Sequence, residues 1–519
     1  MSETQSQTMT RPQDLSLSDI NSTVEVPEGH SFWKTLLAYS GPGALVAVGY
    51  MDPGNWSTSI TGGQNFQYLL LSIIVISSLL AMLLQNMAAK LGIVCQLDLA
   101  QAIRARTSRR LGFIFWILTE LAIMATDIAE VIGAAIALYL LFKIPIFLAV
   151  VITVLDVFLL LLLNRIGFRK IEALVVCLIF VILFVFLYQI ILSQPAWHQV
   201  AKGLIPSWAS VQTSPKIGGQ TPLSASLGII GATIMPANLF LHSAISQSRK
   251  IDRTDSSKVA EAVRFSNWDS NIQLSLAMVV NALLLIMGVA VFKSGAVQDP
   301  SFFGLYQALS NPDMVSNPVL AEAARSGVLS TLFAVALLAS GQNSTITGTI
   351  TGQVIMEGFI HLRLPLWLRR LVTRLIAIIP VVVCVAITSH QGSLDEHQAL
   401  NNLMNNSQVF LALALPFSIV PLLMLTDSAA QMGNQFKNTR WVKVMGWLTV
   451  IILTLLNLIS ISSQIAGFFG DNPSSQDLLL SQVISIGIIL AMIGLLIWTI
   501  IDIRRFTHPK QKALEVLFQ

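Results

Sequence analysis

The sequence predicts an all-α integral membrane protein of about twelve spans, and three observations predict it. Only 11% of the 519 residues are charged while 54% are apolar, where a soluble chain is about a quarter charged. So few charges cannot cover the surfaces of the roughly three soluble domains that this length would otherwise make. The apolar residues fall in long runs such as Tyr68 to Met87, Phe147 to Leu163 and Leu174 to Leu192, each near the ~20 residues that carry a helix across a bilayer. These runs lack strict alternation, which argues for helices and against a barrel.

Taken in order, residues 1–34 are polar, Ser/Thr-rich at their start and without an apolar signal core, and are expected to form a disordered cytoplasmic tail. Spans are expected near residues 48, 78, 125, 154, 181, 234, 280, 341, 379, 415, 452 and 489. Residues 35–193 make one five-span repeat, 194–430 a second, and 431–506 hold spans 11 and 12. A cytoplasmic tail, 507–519, closes the chain. Its last six residues, Leu514 to Gln519, read LEVLFQ, the pattern of a viral 3C protease cleavage site, and are set aside from fold reasoning.

Lys and Arg set the orientation. With the N-terminus in the cytoplasm, about 23 of the 31 basic residues fall on the cytoplasmic side, among them Arg104, Arg106, Arg109 and Arg110 after span 2 and Arg249, Lys250, Arg253 and Lys258 after span 6. The opposite loops hold five: Lys143, Lys202, Lys216, Lys293 and Arg325. Both termini are therefore expected in the cytoplasm, with the chain in the plasma membrane. The small net charge of +4 conceals this asymmetry and gives no ground for a nucleic-acid partner. Cys95, Cys177 and Cys384 lie in or beside separate apolar segments; their spacing fits neither a disulfide framework nor a zinc site, so they are read as packing residues. No nucleotide-binding loop or catalytic triad occurs, so the chain is read as no enzyme and as drawing on ion gradients and voltage.

Two spans contain breakers. Span 1 carries Gly49-Tyr50-Met51-Asp52-Pro53-Gly54-Asn55, and span 6 carries Ala232-Thr233-Ile234-Met235-Pro236-Ala237-Asn238. Each breaks at a Pro-small-Asn pattern, and each opens a set of five spans. An odd number of spans turns the second copy upside down relative to the first, the inverted-repeat layout of many secondary transporters, in which interrupted helices offer free carbonyls at the midplane. Asp52 sits in an apolar span, where an unpaired charge costs at least ~2.5–3.5 kcal/mol, so something must offset it. Asn55 adds an amide oxygen and Met235 a thioether. Carboxylate, amide oxygen, freed carbonyl and sulfur describe a divalent-cation site. Mg²⁺ and Ca²⁺ favour all-oxygen shells, whereas first-row metals accept sulfur, so selectivity is expected to favour transition metals.

The Asp52-Pro53-Gly54-Asn55 break, the Met235-Pro236-x-Asn238-Leu239-Phe240-Leu241-His242-Ser243 stretch, and Gly341-Gln342-Asn343-Ser344-Thr345-Ile346-Thr347-Gly348-Thr349 with Gly352-Gln353 and Glu357-Gly358 together resemble the bacterial-type NRAMP divalent metal transporters, over about residues 35 to 460. The resemblance implies a leucine-transporter-like fold, two inverted five-helix repeats plus two C-terminal helices. It also implies secondary active import of Mn²⁺ or Fe²⁺, with Cd²⁺ and Co²⁺ accepted, by alternating access and usually with protons. The metal is cargo; no cofactor and no obligatory protein partner are expected, only the ions and the lipid bilayer. The implied ligands are Asp52, Asn55, Met235 and the backbone carbonyl of Ala232, joined by Gln408 on span 10 in an occluded state.

One position departs from the family pattern: Ala237 stands where members usually carry histidine, the side chain that titrates near neutral pH. Beside the cleavage-site remnant, Ala237 is read as a deliberate substitution rather than natural divergence, and proton coupling is expected to be impaired. Asp127 and Glu130 lie three apart on one face of span 3; intramembrane carboxylates are functional by default, and similar residues in the family serve the proton path. Arg374, deep in span 9, is expected at the far end of that path, and His242 as a polar contact or minor proton group. Glu120, Asp156, Asp269 and Asn271 are read as structural pairings, and Glu357 as a gating residue. Two alternatives stand: a metal-binding receptor of transporter architecture, which would be expected to carry a large cytosolic domain, and an amino-acid permease of the same fold, whose substrate carboxylate Asp52 would repel.

Overall fold

The computed structural model describes residues 21–26, 31–156, 168–291, 299, 301–315, 318–362, 364–388, 393–467 and 474–506. The expected terminal tails (for the most part), the cleavage-site remnant and the second half of span 4 lie outside them. Helix α1 (Phe32–Tyr39) leads into a first span in two pieces, α2 (Pro42–Val48) and α3 (Pro53–Phe66). Span 2 is α4 (Leu71–Cys95); the short α5 (Leu99–Arg104) separates it from α6 (Arg109–Phe142), span 3. Span 4 opens with α7 (Ile146–Ile152), span 5 is α8 (Phe168–Ser193), and α9 (Trp197–Gly203) follows. The second broken span is α10 (Pro222–Ile234) with α11 (Pro236–Ile245), and α12 (Ser256–Ala290) is span 7. After α13 (Phe302–Ser310) and α14 (Pro318–Arg325) comes α15 (Val328–Ile360), bent by 76° from α14. Helices α16 (Leu366–Thr388), α17 (Ser393–Asp427), α18 (Ala429–Phe436), α19 (Arg440–Gly467) and α20 (Ser475–Phe506) complete the bundle. The one sheet among the described residues is a two-residue parallel pair, Val24–Glu25 with Arg249–Lys250. The expected all-helical membrane architecture holds.

Burial explains why spans 1 and 6 read as weakly apolar. In Pro222–Ser248, 94% of the most apolar window is buried by protein, against 11% in Gln476–Arg505. The broken helices form the centre of the bundle and face other helices, so polar residues are tolerated where a partner can be met; the little-buried α20 is strongly apolar through its middle. Against this centre α15 packs on α6, and α17 on α10.

Several helix ends follow from local chemistry. Asp98 and Gln101 form a reciprocal capping box on α5, and Thr221 with Ser224 does the same on α10, each satisfying amides that the first turn leaves free. Asp269, on α12, reaches across to α2: its Oδ2 accepts from the Gly41 and Gly43 amides at 3.2 and 2.7 Å. Asn86 Nδ2 donates to Asn271 Oδ1 at 3.1 Å and ties α4 to α12. Both residues therefore make the interhelical bonds expected of them.

Small residues set how closely the central helices approach. A Cβ on Gly231 would lie 2.1 Å from the Gln408 backbone oxygen, whereas one on Gly487 of α20 would meet nothing within 4 Å. Gly231→Ala is expected to lose about 1–3 kcal/mol through overpacking, and Gly487→Ala to be neutral or slightly stabilising. Thermal unfolding of the two variants in one detergent checks this; equal midpoints would refute the close-packed centre.

Candidate metal centre at the paired helix breaks

The two breaks are built differently from the same ingredient, a proline that lacks an N–H. In the first, the chain tightens after α2 into i→i−3 bonds: Gly49 N–H to Val46 O, Tyr50 N–H to Ala47 O and Met51 N–H to Val48 O, at 3.1, 3.0 and 2.9 Å. Asp52 then turns extended (φ −72°, ψ 167°), as residues before proline do, and caps α3 by accepting from the Asn55 amide through Oδ1 at 2.8 Å. The carbonyls exposed by unwinding are mostly claimed. Asn281 donates to Tyr50 O at 2.8 Å, and Trp56 Nε1 and Ser340 Oγ donate to Met51 O at 2.9 and 2.5 Å. In the second break, Met235 adopts φ 33°, ψ 109°, a left-handed conformation that costs a non-glycine residue of order 1–3 kcal/mol and persists where the surroundings enforce it. The ordinary i+4 partners of the Gly49 and Ala232 carbonyls are Pro53 and Pro236, which have no donor to give.

The breaks abut. A Cβ on Gly49 would fall 2.4 Å from Asn238 Nδ2, and one on Gly54 would fall 2.4 Å from Gln408 Nε2. Gln408 thus lies against the first break through its side chain and against the second, at Gly231, through its carbonyl. Asp52, Asn55, Met235 and Gln408 are all buried. The oxygens Asp52 Oδ2, Asn55 Oδ1 and Gln408 Oε1 have no hydrogen-bond partner in the protein. Buried polar atoms are paired in the great majority of cases, so these three acceptors, which lie beside one unpartnered donor, Asn238 Nδ2, are available to a cation. Among the described residues no three His, Cys, Asp or Glu side chains are placed to hold a metal; a cation here would take one carboxylate, neutral oxygens and sulfur.

A narrow cavity of ≈ 20 Å³, large enough for about one water, adjoins the breaks and is lined by Gly49, Met235, Ala237 and Asn238 on one side and by Asp127, Glu130 and Ser344 on the other. Ala237 therefore lines the same cavity as Met235 of the second break and the span 3 carboxylates. Those carboxylates are held by arginines. Arg370 reaches Asp127 Oδ1 at 2.5 Å, Glu130 Oε2 at 2.6 Å and Asp156 Oδ2 at 3.3 Å. Arg374 pairs with Asp156, lies 3.5 Å from Glu130 Oε2 and donates to Thr345 Oγ1 at 2.9 Å. Arg369 holds Glu120 at 2.7 Å, closer to the surface, in the structural pairing expected of Glu120. His242 stands apart from this cavity: its Nδ1 faces Gln85 Oε1 at 3.0 Å and its Nε2 faces Ser270 Oγ at 3.2 Å. Glu357 accepts from Gln353 near the end of α15.

From the sequence alone Arg370 is one of the basic residues on the cytoplasmic side and Asp156 a structural pairing; in the structure both belong to this buried network. The spacing Arg370 to Arg374 places both guanidiniums on one face of α16, and that spacing was the available signal. Three buried carboxylates (Asp127, Glu130, Asp156) contact two buried guanidiniums (Arg370, Arg374), and Asp52 lies apart from them as a fourth buried carboxyl group. The local excess is two negative charges when all six are ionised, and a buried excess of this kind requires protons or a cation.

A family model for natural resistance-associated macrophage protein-like proteins matches residues 43–463. A divalent metal cation transporter, MntH, of Pediococcus pentosaceus is 54% identical over 443 residues, which cover 85% of this chain and 95% of that one. The MntH of Lacticaseibacillus casei is 54% identical over 453 residues, covering 87% and 95%, and that of Staphylococcus aureus 51% over 447 residues, covering 86% and 95%. Among solved structures, Mhp1, a nucleobase-cation-symport-1 family transporter, matches with a TM-score of 0.47 at 15% identity, covering 89% of this chain and 92% of that one.

Replacing Arg370 by Leu leaves Asp127, Glu130 and Asp156 short of their shared cation. The expected loss is about 3–5 kcal/mol, as for one partner removed from a buried pair, whereas Arg369→Leu, whose partner Glu120 is 20% exposed, is expected to lose much less. Chemical denaturation of both variants distinguishes these outcomes.

Proposed function

We propose, from the premise that this chain belongs to the Nramp family of natural resistance-associated macrophage protein-like proteins, that it is a secondary transporter importing divalent transition metals, Mn²⁺ or Fe²⁺ with Cd²⁺ and Co²⁺ accepted, through a plasma membrane in which both termini face the cytoplasm. The observation that carries the reading is the set of unpartnered buried oxygens at the two breaks, Asp52 Oδ2, Asn55 Oδ1 and Gln408 Oε1. In the proposed site these accept the ion together with the Met235 sulfur and the Ala232 carbonyl. The printed names of the relatives, divalent metal cation transporters, support the same substrate class.

Transport by alternating access would use the two broken helices as the moving parts of two inverted repeats, 35–193 and 194–430, with Gln408 closing on the ion as α17 approaches. An inward-negative potential of 100 mV favours entry of a divalent ion by about 4.6 kcal/mol, at ~2.3 per charge. A proton route would run from the break through the cavity to Asp127 and Glu130 and on to Arg370 and Arg374. Ala237 offers no titrating group at the step between the metal site and the carboxylates, so proton coupling is weakened while the metal donors remain.

Two outcomes are expected. Calorimetric titration of the intact chain should give Mn²⁺ and Cd²⁺ binding well above Ca²⁺, and Met235→Ala should lower the Mn²⁺ and Cd²⁺ affinities about tenfold, ~1.4 kcal/mol, leaving Ca²⁺ little changed; Ca²⁺ binding equal to Mn²⁺ before the substitution would contradict the sulfur argument. In liposomes carrying an internal pH dye, Mn²⁺ uptake should proceed with little acidification, and Ala237→His should increase acidification per ion taken up. Stoichiometric acidification by the unsubstituted chain would contradict the assigned role of this position.

A further inference from the structure

A second cavity, of ≈ 580 Å³, opens at one end of the bundle between α4, α12 and the chain joining α18 to α19. That volume lies within the ≈ 300–1,000 Å³ of small-ligand sites. Lys90, Arg264 and Lys437 line it, and none of its lining residues is acidic. Asp427, near Lys90, is itself held by Lys443 at 2.5 Å, and the positive charge of the cavity rests on Arg264 and Lys437. Lys90 is anchored, its Nζ donating to Asn438 Oδ1 at 2.8 Å, while Arg264 and Lys437 are exposed and free to close on a ligand.

The surroundings place this cavity at the membrane–water boundary. Trp268, 47% exposed, lines it, and Trp441, 68% exposed, lies two residues beyond its lining residue Thr439; exposed tryptophans mark the headgroup level of membrane proteins. Val263 and Phe436 give it an apolar wall. Asn267, also in the lining, adds a neutral polar group beside the basic side chains.

We propose that this cavity binds the headgroup of an anionic phospholipid bearing free hydroxyls, of the phosphatidylglycerol type. The phosphate would lie between Arg264 and Lys437 with Lys90 beneath it, a headgroup hydroxyl would donate to Asn267, and an acyl chain would run along Val263 and Phe436. Basic pockets between membrane helices are suited to such lipids. Because the pocket joins α4 and α12 to the chain entering α19, a bound lipid would tether those helices to one another. The inference needs only that the chain spans a bilayer, and it stands apart from the transport reading.

Native mass spectrometry of the intact protein in neutral detergent tests it, with phosphatidylglycerol and phosphatidylcholine titrated separately against three proteins: the unsubstituted chain, R264A/K437A, and the charge-matched control R504A/R505A at exposed positions of α20. The expected result is preferential binding of phosphatidylglycerol that survives excess inorganic phosphate. It should weaken about thirtyfold in R264A/K437A, the factor expected of two basic side chains at an anionic lipid surface, and be unchanged in the control. Phosphatidylglycerol and phosphatidylcholine bound equally, equal weakening in both variants, or full displacement by inorganic phosphate would each overturn the lipid site, the last by showing a site for free anions.

Discussion

The structure depends on a carboxyl group that is buried without an ionic partner. Asp52 is fully buried, and only one of its two carboxylate oxygens is used, to cap the helix that begins at Pro53. The cap explains why an aspartate suits this position in the backbone. It does not explain why the other oxygen is left bare in a membrane interior, where several kilocalories per mole could be recovered by asparagine or serine at the same cap. In the proposed function that oxygen is a cation ligand, a use that a cap alone would not need.

The rest of the centre manages the consequence. Asn281, Trp56 and Ser340 occupy the carbonyls of Tyr50 and Met51, so the unwound segment is held by protein donors. Arg370 and Arg374 offset most of the charge of Asp127, Glu130 and Asp156, with Thr345 and Ser344 hydrogen-bonded into the same network. The arginines do not reach Asp52 among the described ion pairs, and the cavity between the two groups is about one water wide. The paired breaks and the carboxylate network are therefore separate, with Glu130 within Coulombic range of Asp52. Loading a divalent ion would cancel the local excess of negative charge, and so would protonation, so each would disfavour the other.

Much of this was legible in the sequence, because the membrane makes polar residues conspicuous. Prolines 53 and 236 announced the broken helices, and Asp52, Asn55 and Met235 stood out against apolar surroundings. Less legible was anything set by the meeting of distant segments. Arg370 looked like a loop charge beside Arg369, since nothing in one dimension shows that α16 starts deep enough to bury it against α6. Gln408 entered through family resemblance alone. Its physical signature is indirect, residing in Gly54 and Gly231, which lack the Cβ that would exclude it. His242 was visible as a titratable group near a break, yet both its ring nitrogens are engaged by Gln85 and Ser270, and periodicity cannot reveal a partner 157 residues away.

The most direct measurement is anomalous X-ray diffraction at the manganese edge from crystals of this chain grown with Mn²⁺. The account predicts a single strong peak between the two breaks, in contact with Asp52 Oδ2, Asn55 Oδ1 and the Met235 sulfur. A peak among Asp127, Glu130 and Asp156 instead, with the break unoccupied, would contradict it.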